Sequence, residues 1–153
     1  MNGMSNFDLN DCLHNYYPKF IGIFSADTNP LTNFHSFPCC FIMNTIPKGV
    51  QLDGHWLAFY CPNSNSIEFF DSLAKSPKHY PCFKKYFSNF TITHSSHLKL
   101  QSKNSNLCGE FCTTFLSLRC HDLSFTHIIK LITSYPNGYS RESFVNRFRL
   151  LNK

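Results

Sequence analysis

The chain has 153 residues, a length that suits one compact domain with a single core. Hydrophobic residues make up 42% of it and charged residues only 15%, which argues against an intrinsically disordered chain. Its 14 Lys and Arg exceed its 9 Asp and Glu, and the resulting formal charge of +5 permits a polyanionic partner without requiring one.

Eight cysteines occur in the chain without any sign of export. No apolar run approaches the roughly 18–20 residues that span a bilayer. The first residues lack the basic and apolar regions of a secretory signal. We therefore expect a protein that is not secreted and has no membrane partner. Its cysteines should stay reduced in the cytoplasm or nucleus, which disfavours a disulfide framework.

The first half of the chain predicts one short helix followed by strands. Residues 5–17 are typical of a helix that has Ser5 as its N-cap and stops at Pro18. Apolar runs of strand length then predict three strands: residues 19–24, 39–45 and 55–61. A turn at residues 62–66 and a further strand at residues 67–72 complete an antiparallel hairpin with the strand before them.

The second half predicts mainly helices. Residues 76–89 predict a helix with Ser76 as N-cap and Pro77 at its first position, and residues 90–100 predict one more strand. Phe111, Phe115 and Leu118 recur at helical spacing, which predicts a helix from Leu107 to about residue 120. Residues 141–152 predict a last helix. The pattern indicates an α+β fold in a single domain over residues 1–153, with a central, mainly antiparallel sheet of about four to five strands packed with helices.

Cys108 is the first candidate for chemistry, because it stands where a loop enters a helix. The unpaired backbone N–H groups and the positive end of the helix dipole favour a thiolate there, and the thiolate is the nucleophilic form of cysteine. Gly109 would leave room beside it for a substrate carbonyl. The alternative for this stretch alone is a buried structural cysteine.

A cysteine nucleophile needs an imidazole, and the imidazole needs an acceptor that orients it. His55 opens a predicted strand, and Asp71 closes the strand that pairs with it. The start of one hairpin strand lies near the end of the next, so we expect these two side chains to be neighbours. Glu68 is a rival acceptor, but it lies three residues earlier in the strand. Asp71 could instead cap a turn or a helix.

Acyl transfer also needs hydrogen-bond donors for the developing oxyanion. The backbone N–H of Cys108 is one candidate, and the side-chain amide of Gln101 is another. The alternative for Gln101 is an exposed loop residue. Each of these signals is weak when it is taken alone.

Together these residues form a pattern that resembles one family. Gly-His-Trp-Leu-Ala-Phe at residues 54–59 is followed by an acidic residue that closes the next strand, and then by Gln-x6-Cys-Gly-x-Phe-Cys from residue 101. This combination resembles the adenovirus-type cysteine protease, adenain, over most of the chain. Similar proteases occur in adenovirus-like viruses and in Polinton/Maverick-type mobile elements. The broader fold also serves proteases of SUMO and of ubiquitin-like proteins.

The resemblance implies a papain-like, adenain-type fold and a role for each matching position. Cys108 becomes the nucleophile, His55 the general base and acid, Asp71 the residue that orients the imidazole, and Gln101 the oxyanion donor. Trp56 matches an aromatic residue near the family's site, and its alternative is plain core packing. The resemblance implies no metal ligand. Asp71 departs from the Glu that is common in adenoviral members, although Asp is usual in the wider fold.

The family also implies activation by a viral peptide and by DNA. Such a peptide would add a strand to the sheet, and Cys82 and Cys120 are candidates for a mixed disulfide with it. Lysines that could contact DNA independently of its sequence lie in one segment: Lys75, Lys78, Lys84 and Lys85. A second basic group lies near the C-terminus: Arg141, Arg147, Arg149 and Lys153. The chain is shorter after Cys108 than adenoviral enzymes, so surfaces for activators could be missing.

We therefore expect a monomeric cysteine endopeptidase that cleaves capsid or core precursor proteins of a virus or mobile element during particle maturation. Its place would be the host nucleus and virion, or the cytoplasm and nucleus for a mobile element. The alternative within the same fold is a deubiquitinase- or deSUMOylase-like peptidase. Two rivals are not enzymes: a nucleic-acid-binding or capsid-associated protein, and a metal-binding module. The candidate ligands of that module are Cys108, Cys112, Cys120 and His121.

Overall fold

The computed structural model describes residues 3–33, 36–50 and 54–152, so Lys153 of the C-terminal basic group lies outside it. The helices of the described residues are α1 (Asn6–Leu13), α2 (Pro81–Phe87), α3 (Cys108–Cys120), α4 (Phe125–Thr133) and α5 (Gly138–Leu151). The strands are β1 (Phe20–Phe24), β2 (Cys39–Asn44), β3 (Trp56–Asn63), β4 (Ser66–Phe70) and β5 (Thr91–Ser95). None of these helices has the length and apolar character needed to cross a membrane.

The five strands form one sheet in the order β1-β2-β3-β4-β5. The two central pairings, β2 with β3 and β3 with β4, are antiparallel. The two outer pairings, β1 with β2 and β4 with β5, are parallel. A parallel pairing needs a long crossover, and residues 25–38 and residues 71–90 supply these two crossovers. The predicted α+β class and strand number are confirmed, and the sheet is mixed.

Both faces of the sheet are buried, which explains the unbroken apolar runs in β2 and β3. Alternate side chains point to opposite faces of a strand. On one face Ile42 and Ala58 belong to a core shared with α1, α3, α4 and α5. On the other face Phe41 and Phe59 pack in a core with Phe87 of α2.

The central helix α3 is buried along its first ten residues, from Cys108 to Ser117. It packs between the sheet and the helices α1 and α5, so it has no solvent-facing stripe over this stretch. The ring of Phe115 stacks on Phe70 of β4 with centroids 4.5 Å apart. This packing holds α3, whose first residue is the candidate nucleophile, against the sheet.

The predicted start of α1 is confirmed in detail. Ser5 is its N-cap, and the Ser5 hydroxyl accepts a hydrogen bond from the Asp8 N–H. The Asp8 carboxylate in turn accepts from the backbone N–H of Ser5 at 2.8 Å. This reciprocal capping box is worth about 1 kcal/mol of helix stability.

The helix predicted at residues 76–89 is wrong in its first part. Pro77–His79 form a 3-10 turn, and the Ser76 side chain makes no cap hydrogen bond. The residue before a proline is pushed out of the helical region, and Tyr80 accordingly has φ −105° and ψ 117°. The α-helix therefore begins only at Pro81.

Other elements also differ from the prediction. The first α-helix ends at Leu13, and a 3-10 turn at His14–Tyr16 follows it. The last strand ends at Ser95, so residues 98–100 are not part of it. The last helix begins at Gly138 and is capped by the Asn137 side chain. The helix α4 was not predicted, although Ser124 caps it and its buried residues Phe125, Ile128 and Ile132 recur at helical spacing.

Candidate active site

His55 and Asp71 meet at one end of the central hairpin. The register pairs Ala58 of β3 with Phe70 of β4, which brings the residue before β3 close to the residue after β4. The His55 Nε2 lies 2.6 Å from the Asp71 Oδ1. The predicted proximity of these two side chains is therefore confirmed, and the hairpin register explains it.

The backbone of His55 is held by the end of β2. The His55 N–H donates to the Thr45 Oγ1 at 3.0 Å, and the Thr45 N–H donates to the His55 carbonyl at 2.9 Å. A Cβ on Gly54 would overlap the side chain of Asn44, so any larger residue directly before the histidine would have to displace that side chain. These contacts fix the backbone from which the imidazole projects.

The Asp71 carboxylate is fully buried and receives four hydrogen bonds. The His55 ring and the Leu73 N–H, at 2.8 Å, share its Oδ1. The Tyr80 hydroxyl at 2.6 Å and the Lys75 N–H at 3.2 Å share its Oδ2. Burial acts to raise the pKa of Asp71, but the hydrogen bond and charge of His55, with those of Tyr80 and Leu73, outweigh it and lower the pKa. The carboxylate is therefore ionised at neutral pH.

The His55 imidazole lies between this carboxylate and the Cys108 thiol. Burial lowers the pKa of His55, but hydrogen bonds and charge interactions with Asp71 and Cys108 outweigh burial and raise the pKa to about 9. Because Nε2 faces Asp71, Nδ1 is the nitrogen left for the thiol. At neutral pH the ring is an imidazolium, and it can share or return a proton at the sulfur.

Cys108 is the first residue of α3, as the sequence predicted, and its side chain is nearly buried. The N-cap residue of this helix, Leu107, makes no side-chain cap hydrogen bond. A helix start without a side-chain cap keeps its partial positive charge for other groups. The Cys108 sulfur therefore lies between the N-terminus of α3 and the His55 ring.

Gly109 packs closely against the N-terminal segment and α1. A Cβ there would come within 2.9 Å of the Met4 Cβ and 3.3 Å of the Leu9 Cδ2. The glycine thus allows the N-terminal segment and α1 to pack closely on α3 on the side where a Cβ would stand. That Gly109 leaves room for a substrate carbonyl stays a prediction.

The Gln101 side chain is buried, and both ends of its amide are hydrogen-bonded. Its Oε1 accepts a hydrogen bond of 2.6 Å from the Ser72 hydroxyl, and its Nε2 donates one of 2.6 Å to the Ser105 carbonyl. The alternative of an exposed loop glutamine is therefore excluded. Its second N–H takes part in neither bond, which leaves a donor in the segment that leads into α3.

Trp56 belongs to the core and also borders a cavity. Its indole is buried, and its Nε1–H donates to the Met4 carbonyl at 3.1 Å. The ring lines a cavity of about 220 Å³ together with Asn44, Lys48 and Val50. Because Trp56 directly follows His55, this cavity is a candidate for a substrate side chain. A larger cavity of about 480 Å³ lies between β5 and α4, far along the chain from the His55 strand.

The four lysines proposed for DNA are all exposed, on the turn after β4, the 3-10 turn and α2. Two arginines of the C-terminal group are engaged within the chain. Arg149 lies 3.5 Å from Glu110, and Arg141 donates to the carbonyls of Tyr135 and Lys99. The lysine segment is therefore the more accessible of the two basic groups.

The cysteines of the metal-binding hypothesis do not converge. Within residues 3–33, 36–50 and 54–152, no three His, Cys, Asp or Glu side chains form a group that could hold a metal ion. The Cys112 thiol donates to the Trp56 carbonyl at 3.4 Å, and the Cys120 sulfur lies 3.8 Å from that of Cys40. This arrangement does not support a metal centre built from α3.

Sequence reasoning missed the residues that support the site. Thr45, Ser72 and Tyr80 each bond to one of its members. Ser72 directly follows Asp71 in the sequence, and this position next to a candidate site residue could have identified it. Tyr80 gave no such signal, because it lay inside a segment predicted as one continuous helix.

No protein-family model and no curated protein matches the chain. Among solved structures, the ASFV pS273R protease is similar, with a TM-score of 0.59 and 17% sequence identity. The match covers 94% of this chain and 66% of that protein, so the chain spans less than two thirds of the protease's length. The likeness extends to the fold and does not single out adenain. The chain therefore has the fold of a viral protease.

Proposed function

We propose that the chain is a cysteine peptidase with Cys108 as its nucleophile. The observation that carries the proposal is the position of the His55 ring between the buried Asp71 carboxylate and the Cys108 thiol. Asp71 holds one ring nitrogen, so the other is available to move a proton to or from sulfur. The similarity in fold to a solved viral protease supports the same conclusion.

The first half of the reaction is acylation. The Cys108 thiolate attacks the scissile carbonyl carbon, the S–C bond forms, and the carbonyl electrons move onto oxygen. The Cys108 N–H and the remaining Gln101 N–H are the proposed donors to this oxyanion. As the C–N bond breaks, the His55 imidazolium gives its proton to the departing amine, which leaves a thioester.

The second half is deacylation. Neutral His55 takes a proton from water as the water oxygen attacks the thioester carbonyl. The S–C bond then breaks, the acid product leaves, and the thiolate–imidazolium pair is restored. Asp71 stays ionised throughout, because its four hydrogen bonds stabilise the carboxylate.

For the substrate, we propose capsid or core precursor proteins of a virus or mobile element, cleaved internally. The motif resemblance to adenain and the fold of a viral protease favour this class. The corresponding location is the host nucleus and virion, or the cytoplasm and nucleus for a mobile element. A deubiquitinase- or deSUMOylase-like activity is the second candidate, because the wider fold accommodates it.

Replacement of the nucleophile tests the proposal. Cys108→Ala should abolish cleavage of a peptide library, read by mass spectrometry, while circular dichroism stays that of the wild type. Cys61→Ala, which removes a buried thiol from the opposite end of β3, is the matched control and should remain active. Cleavage by Cys108→Ala at the wild-type rate would overturn the proposed nucleophile.

Substrate class and partners need separate measurements. Release of a fluorophore from the C-terminus of ubiquitin or SUMO, faster than from any library peptide, would favour deconjugation over precursor cleavage. DNA activation through the exposed lysines should weaken with added salt. It should also weaken when they are replaced together by alanine: Lys75, Lys78, Lys84 and Lys85. An activating peptide would be recognised by a rate increase in the absence of DNA.

A further inference from the structure

We infer that Ser72 is a positioning residue for the oxyanion donor, acting through the side-chain amide of Gln101. The inference rests on the proposed function, because it concerns the role of Gln101 during acyl transfer. Ser72 itself touches neither the thiol nor the carboxylate in any described contact, so its effect has to pass through the amide.

Two hydrogen bonds hold the Gln101 side-chain amide, one at its oxygen and one at its nitrogen. The Ser72 hydroxyl donates to Oε1 at 2.6 Å, and the Ser105 carbonyl accepts from Nε2 at 2.6 Å. A carbonyl oxygen can only accept, so Ser105 fixes which end of the amide faces the loop. Ser72 then holds the other end, and the second N–H of Nε2 takes part in neither of these bonds.

Ser72 also holds the backbone of the same glutamine. Its carbonyl accepts from the N–H groups of Leu100 at 2.9 Å and of Gln101 at 3.3 Å. Ser72 is fully buried, and Gln101 is 5% exposed, so water has little access to replace these bonds. One serine thus sets both the origin and the direction of the glutamine side chain.

The position of Ser72 in the chain connects the two halves of the site. The preceding residue, Asp71, bonds the imidazole of His55. Two adjacent residues at the end of β4 therefore place the base through one side chain and the oxyanion donor through the next. Loss of the Ser72 hydroxyl would leave the buried Gln101 Oε1 without its donor, and the amide would rotate to find another.

Two reactions of Cys108 separate this role from a general structural one. Acylation by p-nitrophenyl acetate forms an S–C bond, passes through an oxyanion and releases p-nitrophenolate. Alkylation by iodoacetamide forms an S–C bond, releases iodide and passes through no oxyanion. A residue that positions the oxyanion donor should affect the first reaction and spare the second. The rates of Cys108→Ala are subtracted, so that only the reaction at Cys108 is counted.

The expected result is selective. Ser72→Ala should slow acylation on the order of 10- to 100-fold, as expected for a misplaced catalytic group. Its alkylation rate should stay within about two-fold of the wild type, because the His55–Cys108 pair is intact. In a Gln101→Ala background, Ser72→Ala should have no further effect on acylation. Ser72→Thr, which keeps a hydroxyl, should recover part of the rate.

A matched control removes a serine hydroxyl elsewhere. Ser134→Ala deletes a hydroxyl that donates to the Leu131 carbonyl at 2.6 Å at the end of α4, and both reactions should keep their wild-type rates. Acylation by Ser72→Ala at the wild-type rate would overturn the inference. An equal fall in both reactions, with a lower melting temperature, would also overturn it in favour of a structural role. A wild-type protein whose Cys108 reacts with neither reagent would contradict the proposed function itself.

Discussion

Two buried carboxylates, Glu68 in β4 and Asp71 directly after it, have partners of different chemistry. Glu68 is paired with the guanidinium of Arg119, with Nε at 2.9 Å from one oxygen and Nη2 at 3.0 Å from the other. The same guanidinium lies over the Tyr60 ring, 4.0 Å from its centroid. Asp71 is paired with the imidazole of His55.

The difference between the partners decides what each pair can do. Burial acts to lower the pKa of Arg119, but its hydrogen bond and charge interaction with Glu68 outweigh burial and raise the pKa further. Arg119 therefore keeps its proton at every ordinary pH, and its pair with Glu68 holds α3 to the sheet. The imidazole of His55 can exchange its proton near pH 9. The Asp71 pair can therefore take part in chemistry, whereas the Glu68 pair stabilises the fold.

Asp71→Asn should break the Asp71–His55 pair and have the largest effect on turnover. An asparagine amide cannot hold the imidazolium, and the loss of a triad carboxylate costs on the order of 10³- to 10⁴-fold in turnover. Only the interactions with Cys108 would then oppose burial at His55, so the pKa of His55 should fall below about 9. The alkaline limb of the pH–rate profile should move to lower pH, measured with any cleaved library peptide.

The control for this prediction is another aspartate-to-asparagine change. Asp122→Asn alters an exposed carboxylate that lies 3.8 Å from the Lys19 amine. Its φ of 66° is a conformation that asparagine tolerates. It should leave both turnover and the pH profile unchanged. An unshifted alkaline limb in Asp71→Asn would contradict the assignment of Asp71 as the partner that raises the His55 pKa.

Arg119→Met should break the Glu68–Arg119 pair and affect the stability of the fold more than turnover. It leaves the buried Glu68 carboxylate without its guanidinium partner and with only the half-exposed His94 ring 3.8 Å away, and loss of one partner of a buried ion pair costs about 3–5 kcal/mol in the free energy of unfolding. Urea denaturation measures this change, with Arg147→Met at an exposed position of α5 as the control. The turnover rate, divided by the amount of Cys108 that reacts with iodoacetamide, should stay at the wild-type value. A fall in turnover as large as that of Asp71→Asn would erase the contrast between the two pairs.

Tyr80→Phe should have the smallest effect of the three. It removes one of the four donors to Asp71 and leaves the Oδ2 with the weaker bond from the Lys75 N–H. A lost partner of a buried charged group costs about 1–3 kcal/mol in the free energy of unfolding. Tyr16→Phe, which removes a hydroxyl bonded to the exposed His121, is the control in thermal melts. Equal melting temperatures for the two variants would show that Tyr80 does not stabilise the carboxylate.

Much of the candidate site could be predicted because it depends on local patterns. The apolar runs of β2 and β3, the turn between β3 and β4, and the helical spacing after Cys108 each act over a few residues. They place His55 at a strand start, Asp71 at a strand end and Cys108 at a helix start. The same local logic failed at residues 76–89, where Pro81 broke the expected helix.

The supporting contacts could not be predicted, because they join residues that are far apart in the chain. Ser72 meets Gln101 across 29 positions, and Arg119 meets Glu68 across 51. The choice between Glu68 and Asp71 as partner of the imidazole is different, because the hairpin register pairs Glu68 with Tyr60 and so keeps it away from His55.

The sequence by itself determined the residue types of the site and the elements that carry them, since periodicity, capping and turn chemistry are short-range effects. Only the tertiary structure decided how these elements meet. The two crossovers made the outer strand pairings parallel. Close packing of Met4 and Leu9 required a glycine after Cys108. The end of β4 brought the Ser72 hydroxyl within hydrogen-bond distance of the Gln101 amide. The physical reason is that many buried contacts between distant residues stabilise the fold together, and no single stretch of sequence encodes them.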